Sequence, residues 1–160
     1  MSRAARGFTL IELVVTLAIM GILLLIAQPA AHWVQKRHQE RELRIALADI
    51  RLALDAYKAA ADTGRIDLPA GASGYPPSLA QLVDGVQDRR DSAGRKLYFL
   101  RRLPPDPLSL DADAALFPAR TWGLRSHASP PDAPAPGADV FDVYSLSPAV
   151  GLNGVPYRRW

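Results

Sequence analysis

From Gly7 to Ala27 the chain reads GFTLIELVVTLAIMGILLLIA, an apolar run broken by one acid, Glu12, and preceded by Arg3 and Arg6. About 20 helical residues at about 1.5 Å each match the roughly 30 Å hydrocarbon core of a bilayer, so a membrane helix is expected over 8–29. Past Pro29 the pattern turns one-sided. Leu43, Leu47, Ile50, Leu54, Tyr57 and Ala61 recur at alternating steps of four and three, which places them on one helix face. Arg44, Arg51, Asp55, Lys58 and Asp62 fall largely elsewhere, and Glu40 with Arg44 makes an i,i+4 pair of favourable polarity. Gly64 supplies a C-terminal cap. The spacing predicts one helix from Phe8 to Asp62, embedded over 8–29 and outside the bilayer over 30–63.

The remaining residues, 64–160, read as a globular α/β head with a modest core. Residues 70–78 are rich in Gly, Pro and Ser and form a loop. Leu79 to Val83 then makes a short helix closed by Asp84-Gly85. Leu97 to Leu100 and Thr121 to Arg125 are expected strands, and Val140 to Ser145 alternates with period two. Asn153-Gly154 between Leu152 and Val155 signals a tight turn. The run SPPDAPAPG, Ser129 to Gly137, is a stiff polar surface connector. These elements give an α+β fold in which a long N-terminal helix packs on a small antiparallel sheet.

Charge and composition narrow the chemistry. The net charge is only +3, and the pairs Arg89-Arg90, Arg95-Lys96, Arg101-Arg102 and Arg158-Arg159 are dispersed among acids. That suits a solvated surface or a contact face between subunits better than a nucleic-acid stripe with stacking aromatics, so no nucleic acid is expected as a partner. No cysteine is present, which excludes a thiol nucleophile and a disulfide framework. His32, His38 and His127 are scattered, and Ser126 and Ser129 beside His127 have no recognisable third partner, so no enzyme is expected.

Glu12 is the costly residue. A carboxylate inside a membrane segment costs about 2.5–3.5 kcal/mol on insertion scales and needs a partner. An ordinary signal peptide explains the N-terminus less well, because the apolar run exceeds the usual h-region of about 7–15 residues. Arg3 and Arg6 favour a cytoplasmic leader. The run Arg6-Gly7-Phe8-Thr9-Leu10-Ile11-Glu12-Leu13 resembles the processing motif of type IV pilins and type II secretion pseudopilins. The resemblance implies a leader, 1–7, that a prepilin peptidase cuts between Gly7 and Phe8, with N-methylation of Phe8. It implies that Glu12 meets the new terminal amine of a neighbouring subunit and sets its register during assembly. Gly21 and Pro29 stand where such helices carry residues that can unwind in the filament.

The head motifs Tyr75-Pro76-Pro77-Ser78-Leu79, Leu100 to Pro107 and Phe141 to Leu146 resemble the G-type major pseudopilin. That family implies calcium in the loop after the last strand. Here Leu146 to Trp160 contains no carboxylate, so calcium is not expected, and apolar packing of Leu152, Val155, Tyr157 and Trp160 is expected to hold the loop. Asp106, Asp111 and Asp113 lack calcium-loop spacing and read as a solvated acidic loop. The resemblance implies a structural subunit of a type II secretion pseudopilus, single-pass in the bacterial inner membrane with its N-terminus cytoplasmic and its head periplasmic. The implied partners are further copies of itself, minor pseudopilins, the inner-membrane assembly platform, the peptidase and the lipid bilayer. The alternative is a type IV or competence pilin, many of which carry a disulfide loop that a chain without cysteine cannot form.

Overall fold

Leu43, Leu47, Ile50, Leu54, Tyr57 and Ala61, the stripe expected from the sequence, are all buried along one side of helix α1 (Leu10–Asp62). The computed structural model describes residues 9–160, and of residues 24–31 the backbone alone. The chain divides into two compact units, Met1–His38 and Gln39–Trp160. In the first, the described part is helical from Leu10, and every side chain from Thr9 to Leu23 is exposed. Phe8, the expected first helical residue, lies outside the described residues. Among the described residues no helix is long and apolar enough to cross a membrane. The expected span 8–29 begins outside that description and ends among positions whose side chains are not described.

In the second unit α1 ends as the sequence predicts. The N–H of Gly64 donates to the Ala61 carbonyl at 2.9 Å and that of Arg65 to Ala60 at 2.9 Å, with Gly64 at φ +69°. This closure satisfies carbonyls that the helix end would leave bare. Helix α2 (Ala80–Asp84) follows the loop and stops at Gly85. A hairpin of β1 (Val86–Gln87) and β2 (Lys96–Leu97) pairs antiparallel, Val86 opposite Leu97. A second antiparallel pair joins β3 (Trp122–Arg125) to β4 (Asp142–Ser145), Trp122 opposite Ser145 and Gly123 opposite Tyr144. Short 3-10 turns precede β3 at Pro118–Thr121 and close the chain at Tyr157–Arg159. The fold is α+β, an N-terminal helix packed with small antiparallel sheets, as in pilin-like proteins.

The core joins the α1 stripe to Leu79, Leu82, Trp122, Val140 and Val143. Two expectations are corrected here. The strand foreseen over Leu97 to Leu100 stops at Leu97, because Phe99 and Leu100 both donate their N–H groups to the Leu82 carbonyl, at 3.0 and 2.9 Å. Asp106 is not solvated. It is 3% exposed and accepts from the Ser145 hydroxyl at 2.5 Å and the Leu108 N–H at 2.8 Å, tying the proline-rich segment to the end of β4.

Candidate functional site

The N-terminal segment begins with a cap. The Thr9 hydroxyl oxygen accepts the N–H of Glu12 at 3.3 Å, and the Thr9 carbonyl accepts the N–H of Leu13 at 3.2 Å. Thr9-Leu10-Ile11-Glu12 has the T-x-x-E spacing of a capping box, and an acid in the first turn complements the helix dipole. Thr9 therefore caps the helix and holds the Glu12 main chain in its first turn. Sequence reasoning passed over Thr9, although the spacing was visible. Around Glu12, Leu10 is 83% exposed and Leu17 60%, with Val15, Ile19 and Ile22 exposed on other sides. A helix apolar all round needs lipid or other helices against it.

Of the expected site residues, Gly7 and Phe8 lie outside the described residues. Glu12 occupies the first turn of α1. Gly21 lies within α1, and a Cβ added there meets nothing within 4 Å, so among the described residues no contact demands a glycine. Pro29 lies within the helical span of α1.

The C-terminal loop adds a polar anchor to part of the apolar packing expected, in which Tyr157 meets Trp160 edge to face, ring centroids 5.0 Å apart. Tyr157 is buried as expected, but Val155 is 37% exposed and the anchor is Glu40, only 5% exposed. Its Oε1 accepts the N–H of Leu152 at 2.6 Å and the hydroxyl of Tyr157 at 3.0 Å. The expected partner Arg44 stands 4.0 Å from the other carboxylate oxygen and lays its guanidinium over the Trp160 ring, 4.5 Å from the centroid. Arg51 adds a second tie, donating to Asp142 Oδ1 at 2.8 Å, the Val143 carbonyl at 3.2 Å and the Trp160 main-chain oxygen at 2.7 Å. The Tyr157 hydroxyl is pushed up to about 12, first by burial and then by its hydrogen bond to Glu40. Both Glu40 and Arg51 were missed as anchors. Glu40 stands three residues before Leu43, an acid on the apolar stripe, and that was the available signal.

The loop oxygens are already engaged. Asn153 Oδ1 accepts the N–H of Val155 at 3.0 Å, and the Gly151 N–H reaches the Val155 carbonyl at 2.9 Å around the expected turn, with Gly154 at φ +78°. Ser145 donates to Asp106, and Ser147 Oγ accepts from the Ala149 N–H at 3.4 Å. Asp111 and Asp113 are exposed while Asp106 is buried, so the three aspartates do not converge. Among the described residues no group of three or more His, Cys, Asp or Glu gathers to hold a metal ion. The Ser126 hydroxyl donates to Asp139 at 2.6 Å, the His127 N–H donates to the same oxygen at 2.9 Å, and the His127 ring stacks on Tyr75. That is a loop clasp around a carboxylate.

Residues 2–28 match the family model of the prokaryotic N-terminal methylation motif. The match indicates a pilin- or pseudopilin-type chain, a structural class that is typically membrane-anchored, cut by a prepilin peptidase and assembled into pilus-like polymers. No curated protein and no solved structure matches the chain.

Proposed function

We propose that the chain is a structural subunit of a type II secretion pseudopilus, drawn from the inner membrane into a filament that drives proteins outward. The observation that carries this reading is the methylation-motif match over residues 2–28, with Glu12 held in the first turn of α1 by Thr9. The domain order follows: leader 1–7, membrane half 8–29, outer half 30–63 and head 64–160. Cutting after Gly7 frees a cationic amine on Phe8, and in lipid the Glu12 carboxylate of an adjacent subunit is the partner that makes both charges tolerable. The resemblance of the three head motifs to the G-type major pseudopilin, together with the lack of cysteine for a pilin disulfide loop, supports the pseudopilus over a surface pilus. Gly21 and Pro29 bound the stretch that unwinds on assembly.

Mass spectrometry of the membrane-extracted protein tests this: a methylated Phe8 start is expected, and a retained Met1 or a cut beyond Ala27 sinks the reading. Glu12→Gln should leave processing intact and abolish filaments. Thr9→Val, which loses about 1 kcal/mol of capping but keeps the carboxylate, should still assemble.

The head is closed without calcium on this reading. A hard cation seeks several free oxygens, usually carboxylates, and the loop's side-chain oxygens are spent on its own N–H groups. The melting temperature is expected to be the same in millimolar calcium and in EDTA. A calcium-dependent rise of several degrees would overturn it.

A further inference from the structure

Leu110, at 99% exposed, is the most exposed large apolar side chain among the described residues. It is not on a frayed tail. The Asp111 N–H donates to Ser109 Oγ at 3.2 Å, Asp111 Oδ1 accepts the Asp113 N–H at 3.0 Å, and the Leu116 N–H reaches the Asp113 carbonyl at 2.9 Å. The loop thus presents an apolar tip flanked by two exposed carboxylates, Asp111 and Asp113, neither of which has an ion pair among the described residues.

A groove of about 750 Å³ on the same unit has the opposite character. Val83, Leu103 and Phe117 line it, with Arg102 and Arg120 exposed along it. Arg120 lies over the Phe117 ring at 5.5 Å, and neither arginine has an ion pair among the described residues. Asp84 also lines the groove, which leaves its rim net positive. Exposed apolar surface rimmed by charge marks an interaction site, and a single apolar anchor entering a pocket is how small contacts gain affinity.

We propose that Leu110 of one copy plugs this groove on the next, with Asp111 and Asp113 facing Arg102 and Arg120. The occupant is a second copy because the chain carries both halves of a match in shape and sign. Plug and socket are different surfaces, so repeating the contact head to tail builds an open chain of subunits. The inference rests on the reading of the chain as a polymerising subunit, and it names a contact between neighbouring globular domains that the N-terminal motif does not supply.

The absence of cysteine makes the test clean. Ala112→Cys, beside the plug, and Ala80→Cys, in the groove, leave Leu110 and both arginines in place. Full-length single variants co-expressed in membranes should join through a short thiol crosslinker, and the double variant should give a ladder. Leu110→Ala should cut the yield about tenfold. Arg102→Glu with Arg120→Glu should abolish crosslinking to the native plug, and a partner carrying Asp111→Lys and Asp113→Lys should restore it, which a merely structural role would not do. Filaments without crosslinks overturn the contact and spare the pilin reading. Crosslinks with an unprocessed N-terminus and no filaments overturn the pilin reading and spare the contact. Products that stop at dimer overturn the head-to-tail arrangement. Crosslinks that ignore charge reversal overturn the plug and socket, and the absence of both crosslinks and filaments removes both claims.

Discussion

Glu40 shows how one side chain can hold a chain end. Its Oε1 satisfies two donors, the Leu152 N–H and the Tyr157 hydroxyl, in a setting with almost no water access. Removing an acceptor from buried donors costs more than the bond itself was worth, because the donors stay desolvated. Glu40→Ala should therefore lose about 3 kcal/mol in urea unfolding, and Glu40→Gln, which keeps one neutral acceptor, about 1 kcal/mol. Tyr157 gives a second readout. Its folded pKa lies above the ordinary tyrosine value, so its contribution to stability is full below about pH 10 and is lost as pH rises toward about 12. In Glu40→Ala the carboxylate's share of that shift disappears while burial remains. One late-titrating tyrosine should move toward, but not reach, the ordinary value in an absorbance titration, and an unchanged curve would show that Glu40 does not govern Tyr157.

At the scale of elements, the β3–β4 pair depends on a glycine that has nothing to do with turns. Gly123 faces Tyr144 across the ladder, and a Cβ placed on it would fall 2.3 Å from the tyrosine ring. The ring packs closely against the bare backbone. Gly123→Ala should destabilise the head by about 1–3 kcal/mol through overpacking, measured by thermal unfolding, and Tyr144→Ala in the same chain should relieve the clash. Which elements could be read beforehand follows from physics. The α1 stripe repeats for five turns, and a 3.6-residue period over that length has no competing explanation. The strand at Asp142–Ser145 shows two-residue alternation for the same reason. Two-residue strands such as β1 and β2 carry no period at all, and the Leu97 to Leu100 run looks like a strand although its later N–H groups serve the Leu82 carbonyl. The N-terminal methylation motif was legible because its residues are contiguous in the chain. Glu40, Arg51 and Asp106 were not, since their partners stand many residues away and only folding brings them together.

On the scale of the whole head, a charged network fastens the β1–β2 hairpin to the segment that follows α1. Arg65 binds Asp88 through its guanidinium, Arg90 reaches back to the Thr63 carbonyl, and the Arg89 N–H donates to the Arg65 carbonyl at 2.8 Å. The Asp88 carboxyl is held below its usual range, chiefly by the Arg65 hydrogen bond and next by the Arg90 N–H at 3.0 Å. A depressed carboxylate pKa means that the folded state keeps the charge after the unfolded chain has taken up its proton. The contribution of Asp88 is therefore present above the unfolded value of about 3.9 and is lost as pH falls through the lower folded value. Asp91 and Asp139 are depressed as well, so the head should weaken in acid through several groups. Asp88→Asn removes one of them while keeping an acceptor for the Arg90 N–H. The variant should be less stable than the native chain at pH 7, and the two unfolding curves should converge as pH drops below about 4. Curves that stayed parallel through that range would mean that Asp88 acts by shape, and that the charge on this fastening contributes nothing to holding hairpin to helix.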